Sequence, residues 1–274
     1  MARLPRDRVV IVTGASSGIG RATALAFARD GARVVVAARR KPEIDALAGE
    51  IARSGGRALA VPTDMTKRDE IRALVAATER EFGAVHVLVN NAGRGLYASV
   101  ERTTDADFEA VMRLNVTAPF QAVQEVLPIM KRQGRGQIIN VTSTLGRVAI
   151  PLMAVYCMSK FALTALSDSL RLEMRPHGID VIVVGPGVTA TGFQANAMLE
   201  GFDKPPAYEN SAGASADRVG RAILRASKRR KRHVYLNLDS KALLFMHALS
   251  PRLTDFGMGI WMKRMLAKEK PPTS

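Results

Sequence analysis

The sequence predicts an α/β fold, in which one doubly wound domain has a central parallel sheet and helices on both faces. Three observations predict it. Apolar, β-branched segments alternate with helical segments of ten or more residues, a glycine-rich turn follows the first strand, and no linker rich in Pro, Gly or Ser divides the 274 residues. Strands that alternate with helices of this length form βαβ units, whose helices cover both faces of a parallel sheet.

The first half of the chain supplies four predicted strands and three predicted helices. The segment RVVIVTG (8–14) is an apolar run that ends at a glycine, as a buried strand does, and a helix stopped by Gly31 follows it. The same alternation then repeats. It predicts strands at 8–14, 32–39, 57–64 and 85–93, with helices at 20–31, 41–56 and 67–83.

The second half continues the pattern and adds a tail of different character. It predicts a long helix at 105–133, a strand at 136–143, a helix at 154–176, a strand at 179–187 and a last strand at 233–238. We therefore expect one domain over residues 1–240 and a basic, amphipathic carboxy-terminal extension over 241–274.

The composition excludes several classes of protein. Apolar residues make up 47% of the chain, enough for a large core, and Cys157 is the single cysteine. One cysteine excludes an internal disulfide and a cysteine-based zinc site, and the four histidines show no ligand spacing, so we expect no metal. Neither a secretory signal nor a run of about 18 apolar residues is evident, so we expect a cytoplasmic protein.

The turn TGASSGIG (13–20) indicates a phosphate site. Its three glycines allow a tight turn and close backbone approach, and the following helix presents free N–H groups to an anion. A strand, a glycine-rich turn and a helix in this order are typical of a Rossmann-type dinucleotide site, although the spacing is G-x-x-x-G-x-G. The residues expected at the phosphates are Gly14, Ser16, Ser17, Gly18, Ile19 and Gly20.

The end of the second predicted strand favours NADP over NAD. A carboxylate there would bind the adenosine ribose of NAD, but this chain has Ala38 followed by Arg39, Arg40 and Lys41. A guanidinium can bind a 2′-phosphate through two hydrogen bonds. The alternative is a solvated start of the second helix. Asp64 is placed either to accept from the adenine amino group or to cap the helix at 67.

Tyr156 and Lys160 stand four positions apart in a predicted helix, so both side chains lie on one face. On spacing alone they are an exposed pair, part of the core, or the acid and the charge of an active site. The motifs around them decide between these interpretations.

Six motifs together resemble those of the short-chain dehydrogenase/reductase family. In order they are TGASSGIG, NNAG (90–93), LNVTAPF with Asn115, INVTS with Ser143, YCMSK (156–160) and GPG (185–187). Each motif is weak alone, but six in family order and spacing are specific. The resemblance covers residues 8 to about 190.

The resemblance implies an NADP(H)-dependent oxidoreductase that moves a hydride between a nicotinamide and a carbonyl or secondary alcohol. Tyr156 would be the general acid, Lys160 the ammonium that favours its phenolate and binds ribose, and Ser143 the donor to the substrate oxygen. Asn115 would hold a water that passes protons to Lys160. An alternative function is a non-catalytic NADP(H)-binding sensor or a membrane-associated scaffold.

Two further cofactor segments follow from the resemblance. NNAG would support the sheet and lie against the adenosine ribose, and GPGVTAT would close over the nicotinamide, with Thr191 as an alternative to Thr189. The expected contacts are Asn90, Asn91, Ala92 and Gly93, and Pro186, Gly187, Val188 and Thr189.

A substrate loop is expected at about 190–216. Its apolar members suit a hydrophobic carbonyl compound, since such residues line pockets for apolar ligands. They are Phe193, Met198, Leu199, Phe202 and Tyr208. The family also implies a homodimer or homotetramer that pairs through the helices at 105–133 and 154–176.

The tail carries most of the net charge of +15, because residues 218–274 hold 14 Lys and Arg against 3 Asp and Glu. Three interpretations stay open. The tail closes the substrate pocket or a subunit interface, or it lies on an anionic membrane with Trp261 at the headgroups, or it binds nucleic acid. No recognition motif supports the last, so we expect no nucleic-acid partner.

Overall fold

The computed structural model describes residues 4–194, 196–202 and 213–266. Its strands are, in chain order, β1 (Val9–Thr13), β2 (Arg33–Ala38), β3 (Arg57–Pro62), β4 (Val87–Asn90), β5 (Leu96–Tyr97), β6 (Gly136–Val141), β7 (Ile179–Gly185), β8 (Thr189–Ala190), β9 (Met198–Leu199), β10 (Ala214–Ser215) and β11 (His233–Tyr235). Its α-helices are α1 (Gly18–Arg29), α2 (Lys41–Arg53), α3 (Arg68–Phe82), α4 (Asp105–Met112), α5 (Ala118–Arg132), α6 (Ala154–Met174), α7 (Ala216–Arg229), α8 (Leu238–Leu249) and α9 (Pro251–Leu266).

Seven of these strands form one parallel sheet in the order β11-β7-β6-β4-β1-β2-β3. The chain builds outward from β1 in one direction to β3 and in the other to β11. The order therefore reverses between β1 and β4, and a crevice opens at such a point beside the carboxyl ends of the strands.

Two apolar layers cover the two faces of the sheet. Val10 and Val12 of β1 point into a layer that contains residues of α1, α2 and α7, whereas Val9 and Ile11 point into a layer built with α3, α5 and α6. Alternate residues of a strand lie on opposite faces, so this division shows a sheet covered on both sides. The predicted fold class, a doubly wound Rossmann-type domain, is confirmed.

The predicted helix at 105–133 is interrupted, contrary to the sequence prediction. Five residues, Arg113–Thr117, form a π-helical turn between α4 and α5, and Ala118 N donates to Arg113 O across it. Pro119 has no N–H to bond the carbonyl four residues earlier, which is that of Asn115. The wider turn places Asn115 in the interior, where it is fully buried.

The carboxy-terminal part also differs from its prediction. The last strand ends at Tyr235 instead of continuing to residue 238, and Asn237 is the amino-terminal cap of α8. Helices α8 and α9 follow each other with Ser250 between them and are in contact, and we call this pair the C-terminal hairpin. Within the described ranges, no helix has the length and apolar character needed to cross a membrane.

Candidate active site

A cavity of about 1060 Å³ lies at the carboxyl ends of the parallel strands. The segments that follow β1, β2, β3, β4, β6 and β7 all contribute to its wall. The cavity therefore occupies the place where the strand order reverses. The predicted site residues in its lining are Gly14, Ser16, Ser17, Gly18, Ile19, Arg39, Arg40, Asp64, Asn91, Ala92, Gly93, Ser143, Tyr156, Lys160, Pro186, Gly187, Val188 and Thr189.

The glycine-rich turn is packed so closely that it admits no side chain at Gly20. A Cβ built there would lie 2.2 Å from Gly14 O, and Gly14 itself has a φ of +65°. Asn91 holds the turn from the end of β4, because its Nδ2 donates to Thr13 O at 2.9 Å. Gly20 lies outside the cavity lining, so its contribution is to let the turn and α1 approach each other.

The amino terminus of α1 faces the cavity with the properties of an anion site. Ser17 is its extended N-cap residue, and the first turn contains no acidic side chain. The free N–H groups and the positive end of the helix dipole therefore lie beside Ser16 and Ser17. These residues fit the diphosphate of a dinucleotide.

Arg40 lies over this turn. Its Nη2 donates to Ser16 Oγ at 3.0 Å and to Ser17 Oγ at 3.2 Å, while its Nη1 lies 3.4 Å from Glu43. Arg39 is also exposed at the cavity. Two guanidinium groups therefore lie at the wall of the cavity directly after β2.

Asp64 does not cap α3, contrary to one of its two predicted roles. Its Oδ1 accepts hydrogen bonds from Thr66 N at 2.9 Å and Thr66 Oγ1 at 2.8 Å, which fixes the turn before α3 although Lys67 is the cap residue of that helix. Burial alone would raise the pKa of Asp64, but the hydrogen bonds from Thr66 and the charges of Arg39 and Lys67 lower it. Asp64 is therefore an ionised acceptor at the cavity, and its contact with adenine stays a prediction.

Tyr156 is buried in the first turn of α6, and its phenol lies near the side chain of Ser143. Ser143 follows β6 and caps a 3-10 turn, where its Oγ accepts from Leu145 N at 3.1 Å. Burial raises the pKa of Tyr156, and the nearby Ser143 hydroxyl opposes only part of that rise. In the free protein the phenol is therefore protonated at neutral pH and able to donate.

Lys160 lies one helical turn beyond Tyr156 and is also buried. Its Nζ donates to Val141 O at 3.1 Å and lies 5.7 Å from the centroid of the Tyr156 ring. Burial lowers the pKa of Lys160 to about 8. The pair that was ambiguous on spacing is an interior pair, with the ammonium close to the phenol.

Asn115 does not line the cavity, but its side chain joins three segments around it. Its Oδ1 accepts from Arg94 N and its Nδ2 donates to Arg94 O, both at 2.9 Å. The same Nδ2 donates to Ser159 Oγ at 3.0 Å, and Ser159 Oγ donates to Tyr156 O at 2.7 Å. Asn115 therefore positions the first turn of α6.

The four residues of the NNAG segment lie in two different environments. Asn90 lies outside the cavity lining and donates from Nδ2 to Asn140 Oδ1 at 2.9 Å, which ties β4 to β6. Gly93 passes so close to Asn115 and Lys160 that a Cβ on it would lie 3.1 Å from Asn115 Oδ1 and 3.5 Å from Lys160 Nζ. The segment thus supports the sheet with one residue and reaches the cavity with the next three.

The segment after β7 is held by the start of α8. Asn237 Nδ2 donates to Val188 O at 3.3 Å, and a Cβ on Gly187 would lie 2.4 Å from Ser240 Oγ. Thr189 Oγ1 donates to Gly187 O at 3.0 Å. Thr191 lies beside Gly18 instead, with its Cβ 3.3 Å from a Cβ built on that glycine.

Several cavity residues were missed by reasoning from the sequence. The motif-based prediction ended near residue 190, so it could not place the cavity residues of the C-terminal hairpin. The cap-like Asn237 before the apolar repeat LDSKALLFMHAL was a usable signal for the start of α8. The missed residues include Tyr97, Leu145, Ile150, Met153, Asn237, Asp239, Ser240, Leu243 and Met258.

The described part of the substrate loop supplies an apolar wall. The Phe193 ring lies 5.7 Å from that of Tyr156 at an interplanar angle of 57°, and Leu199 and Phe202 pack in the same cluster. Met198 packs in a neighbouring cluster. Tyr208 and the rest of 203–212 lie outside the described residues. In the described ranges, no group of three or more His, Cys, Asp or Glu could hold a metal.

Comparison with known proteins agrees with this site. Residues 8–200 match the family model described as short chain dehydrogenase. A 3-oxoacyl-[acyl-carrier-protein] reductase of a Synechocystis species is 38% identical over 194 residues, which are 70% of this chain and 78% of the relative.

Solved structures extend the similarity. A short-chain dehydrogenase from Streptomyces avermitilis superposes with a TM-score of 0.81 at 30% identity and covers 97% of this chain and 99% of its own. An alcohol dehydrogenase from Thermococcus sibiricus, complexed with 5-hydroxy-NADP, superposes with a TM-score of 0.74 at 26% identity. The superposition covers 84% of this chain and 95% of the dehydrogenase. The first of these similarities spans the C-terminal hairpin as well as the dinucleotide-type core.

Proposed function

Because the chain belongs to the short-chain dehydrogenase/reductase family of oxidoreductases, we propose that it interconverts a hydrophobic carbonyl compound and its secondary alcohol with NADP(H). One observation carries the proposal. The buried phenol of Tyr156 lies near the Ser143 hydroxyl and the Lys160 ammonium, and it shares a cavity with the amino terminus of α1, which has the properties of an anion site.

Each residue has a proposed role in reduction. NADPH, when bound, supplies the hydride. The Tyr156 phenol gives its proton to the carbonyl oxygen, and the Ser143 hydroxyl donates a hydrogen bond to the same oxygen. The Lys160 ammonium stabilises the phenolate that remains, since an opposite charge nearby favours the ionised form. Asn115 is a positioning residue, which acts through Ser159 on the backbone of Tyr156.

The choice of NADP(H) rests on Arg39 and Arg40, and the Thermococcus sibiricus neighbour with its bound 5-hydroxy-NADP supports it. We expect Arg39→Asp and Arg40→Asp each to weaken NADPH binding by roughly 10- to 100-fold, the loss of one charge-assisted contact, while NADH binding changes little. Fluorescence titration of both reduced cofactors measures this.

Lys41→Asp is the matched control for these two variants. Lys41 has the same charge at the next position, but it pairs with Asp45 and lies outside the cavity lining. Equal losses of NADPH and NADH affinity in the two arginine variants would remove both arginines from the 2′-phosphate site.

The apolar side chains around Tyr156 support the proposal that the substrate is hydrophobic. Tyr97, Ile150 and Met153 pack there together with Phe193 and Met258, so a substrate carbonyl at Tyr156 would extend into apolar surroundings. A small polar ketone would leave that wall unused.

Ketones of increasing chain length test both the reaction and the substrate class. We expect NADPH consumption, with kcat/KM rising about fourfold for each added methylene until the cavity is filled, since burying one is worth about 0.8 kcal/mol. A flat series would contradict the hydrophobic substrate. No consumption on any carbonyl, together with tight NADPH binding, would favour the non-catalytic sensor or scaffold instead.

A cytoplasmic homodimer or homotetramer is the proposed assembly. Large apolar side chains are exposed on the helices that the family resemblance assigns to subunit pairing, and such clusters mark interfaces. They are Phe108 on α4, Phe120 on α5, and Met158, Phe161 and Leu172 on α6. The mass of the wild-type protein in solution tests this assembly.

A further inference from the structure

One face of the C-terminal hairpin packs against the rest of the domain. Ser240 and Thr254 are buried, and Leu243 of α8 and Met258 of α9 line the cavity. Met258 also packs in the cluster that contains Tyr156. The hairpin is therefore held against the domain by one side of each helix.

The opposite side of α8 is an exposed apolar stripe. Leu238, Phe245 and Leu249 are 80%, 67% and 70% exposed. They are spaced by seven and four residues, which places them on one face of the helix. Ala242, which is also exposed, fills the gap between the first two.

Helix α9 repeats this arrangement. Leu253, Phe256 and Ile260 are 56%, 69% and 46% exposed and are spaced by three and four residues. Six large apolar side chains on two neighbouring helices thus face away from the protein. Contiguous exposed apolar surface of this kind marks a site of association with a protein or a membrane.

The polar residues beside the two stripes are mainly cationic. Four exposed cations lie on the hairpin, against the two acidic residues Asp239 and Asp255. By helical position, Arg252 and Lys263 lie on one side of the α9 stripe and Arg264 on the other, while Lys241 lies beside the α8 stripe. Apolar stripes flanked by cations are typical of helices that lie in a membrane interface.

The basic run at 228–232, by contrast, is largely engaged within the protein. Lys228 pairs with Asp30, Arg230 pairs with Asp180 at 3.2 Å, and Arg232 lies 3.6 Å from Asp168. These contacts connect the run to three other parts of the domain. The cations that flank exposed apolar surface are those of the hairpin.

We propose that the C-terminal hairpin docks the protein onto an anionic membrane, with the six apolar side chains in the headgroup region and the four cations at lipid phosphates and carboxylates. A second copy of the chain fits this face less well, because a two-fold contact would place the same cations opposite each other. Trp261, which lies half-buried on α9, is not among the outward residues.

Docking in this way would place the cavity beside the bilayer, because Leu243 and Met258 line the cavity from the other side of the same two helices. An apolar substrate dissolved in the membrane would then reach Tyr156 without crossing water. This step rests on the proposed oxidoreductase function, whereas the docking itself does not.

Vesicle sedimentation of the full chain without cofactor or substrate tests the docking. We expect the protein to pellet with phosphatidylcholine vesicles that contain about one third phosphatidylserine, and far less with phosphatidylcholine alone or at high salt. Phe245→Ser/Phe256→Ser and Lys263→Glu/Arg264→Glu should each lower the partition coefficient, the second by roughly 25-fold or more, since each cation contributes about fivefold.

The controls keep the same chemistry at other exposed positions. Val100→Ser removes an apolar side chain that is 75% exposed in the turn before α4, and Arg29→Glu/Arg53→Glu reverses two exposed cations on α1 and α2. Equal losses in these controls would mean that only the general positive charge binds vesicles, which overturns the proposal. Hairpin variants that lower the mass of the protein in solution, with unchanged vesicle binding, would make this face an interface between copies.

Discussion

Replacing Tyr156 with phenylalanine is expected to lower the turnover number for carbonyl reduction by about 10²- to 10⁴-fold, the range that one general acid contributes. The ring and its packing against Phe193 remain, but the hydroxyl that would donate the proton is lost. NADPH affinity should change by less than about threefold, because the glycine-rich turn at 13–20, where the phosphates are expected to bind, is unchanged. Single-turnover NADPH oxidation and a cofactor titration measure the two effects separately.

Tyr235→Phe is the matched control for this prediction. Tyr235 lies at the edge strand β11, outside the lining of the cavity, so the loss of its hydroxyl should leave reduction unchanged. Turnover by Tyr156→Phe at the wild-type rate would show that another group donates the proton. A lost cofactor affinity in the same variant would show that the phenol acts in binding and not in proton transfer.

Replacing Lys160 with methionine is expected to stabilise the cofactor-free protein while it removes activity. The wild type buries an ammonium whose pKa is lowered to about 8, so the charged form is held in the interior against its preference for water. The lowered pKa corresponds to a cost of about 3 kcal/mol for burying the ammonium, which Lys160→Met removes. The variant also loses the hydrogen bond to Val141 O, which lowers its stability by about 1 kcal/mol. We expect a higher melting temperature at pH 7 by several degrees.

The pH dependence gives this prediction a signature of its own. Between about pH 8 and about pH 10.4 the unfolded chain still binds the Lys160 proton while the folded chain has released it, so the free energy of unfolding of the wild type rises with pH. The advantage of Lys160→Met should therefore be complete below pH 8 and shrink through that window. Lys131→Met, at an exposed lysine of α5, should show neither effect. A melting temperature at or below that of the wild type at pH 7 would contradict the burial cost.

The fold was predictable because its information is local. Each buried strand and each amphipathic helix carries its own periodicity, and the alternation of the two predicts a parallel sheet covered on both sides. The π-helical turn at Arg113–Thr117 was not predictable in this way. It accompanies the contacts that the Asn115 side chain makes with Arg94 and Ser159, partners 21 and 44 residues away, to which helical periodicity is insensitive.

The same distinction applies to the site. Tyr156, Lys160 and the glycine-rich turn could be identified because six short motifs stand in family order and spacing, although the spacing of Tyr156 and Lys160 alone left three interpretations open. Their roles stay predictions until the variants are measured. That the tail closes the pocket was one of three interpretations that the sequence left open, and Leu243 and Met258 do line the cavity. Which residues of α8 and α9 do so could not be derived, because Ser240 reaches Gly187 and Met258 reaches the Tyr156 cluster only in the folded chain.

The crowding at Gly20 and Gly187 determines where this enzyme can be altered. A methyl group at Gly20 would lie 2.2 Å from the backbone oxygen of Gly14, and one at Gly187 would lie 2.4 Å from Ser240 Oγ. The half of the cavity that these glycines border, where we propose the cofactor binds, therefore does not tolerate a side chain at either position. The opposite half is built from the ends of flexible or aromatic side chains, those of Phe193, Leu243 and Met258, which can be exchanged for smaller or larger ones. Directed evolution of a new substrate range should therefore gather its changes in the substrate loop and the C-terminal hairpin and leave the dinucleotide half of the chain unaltered.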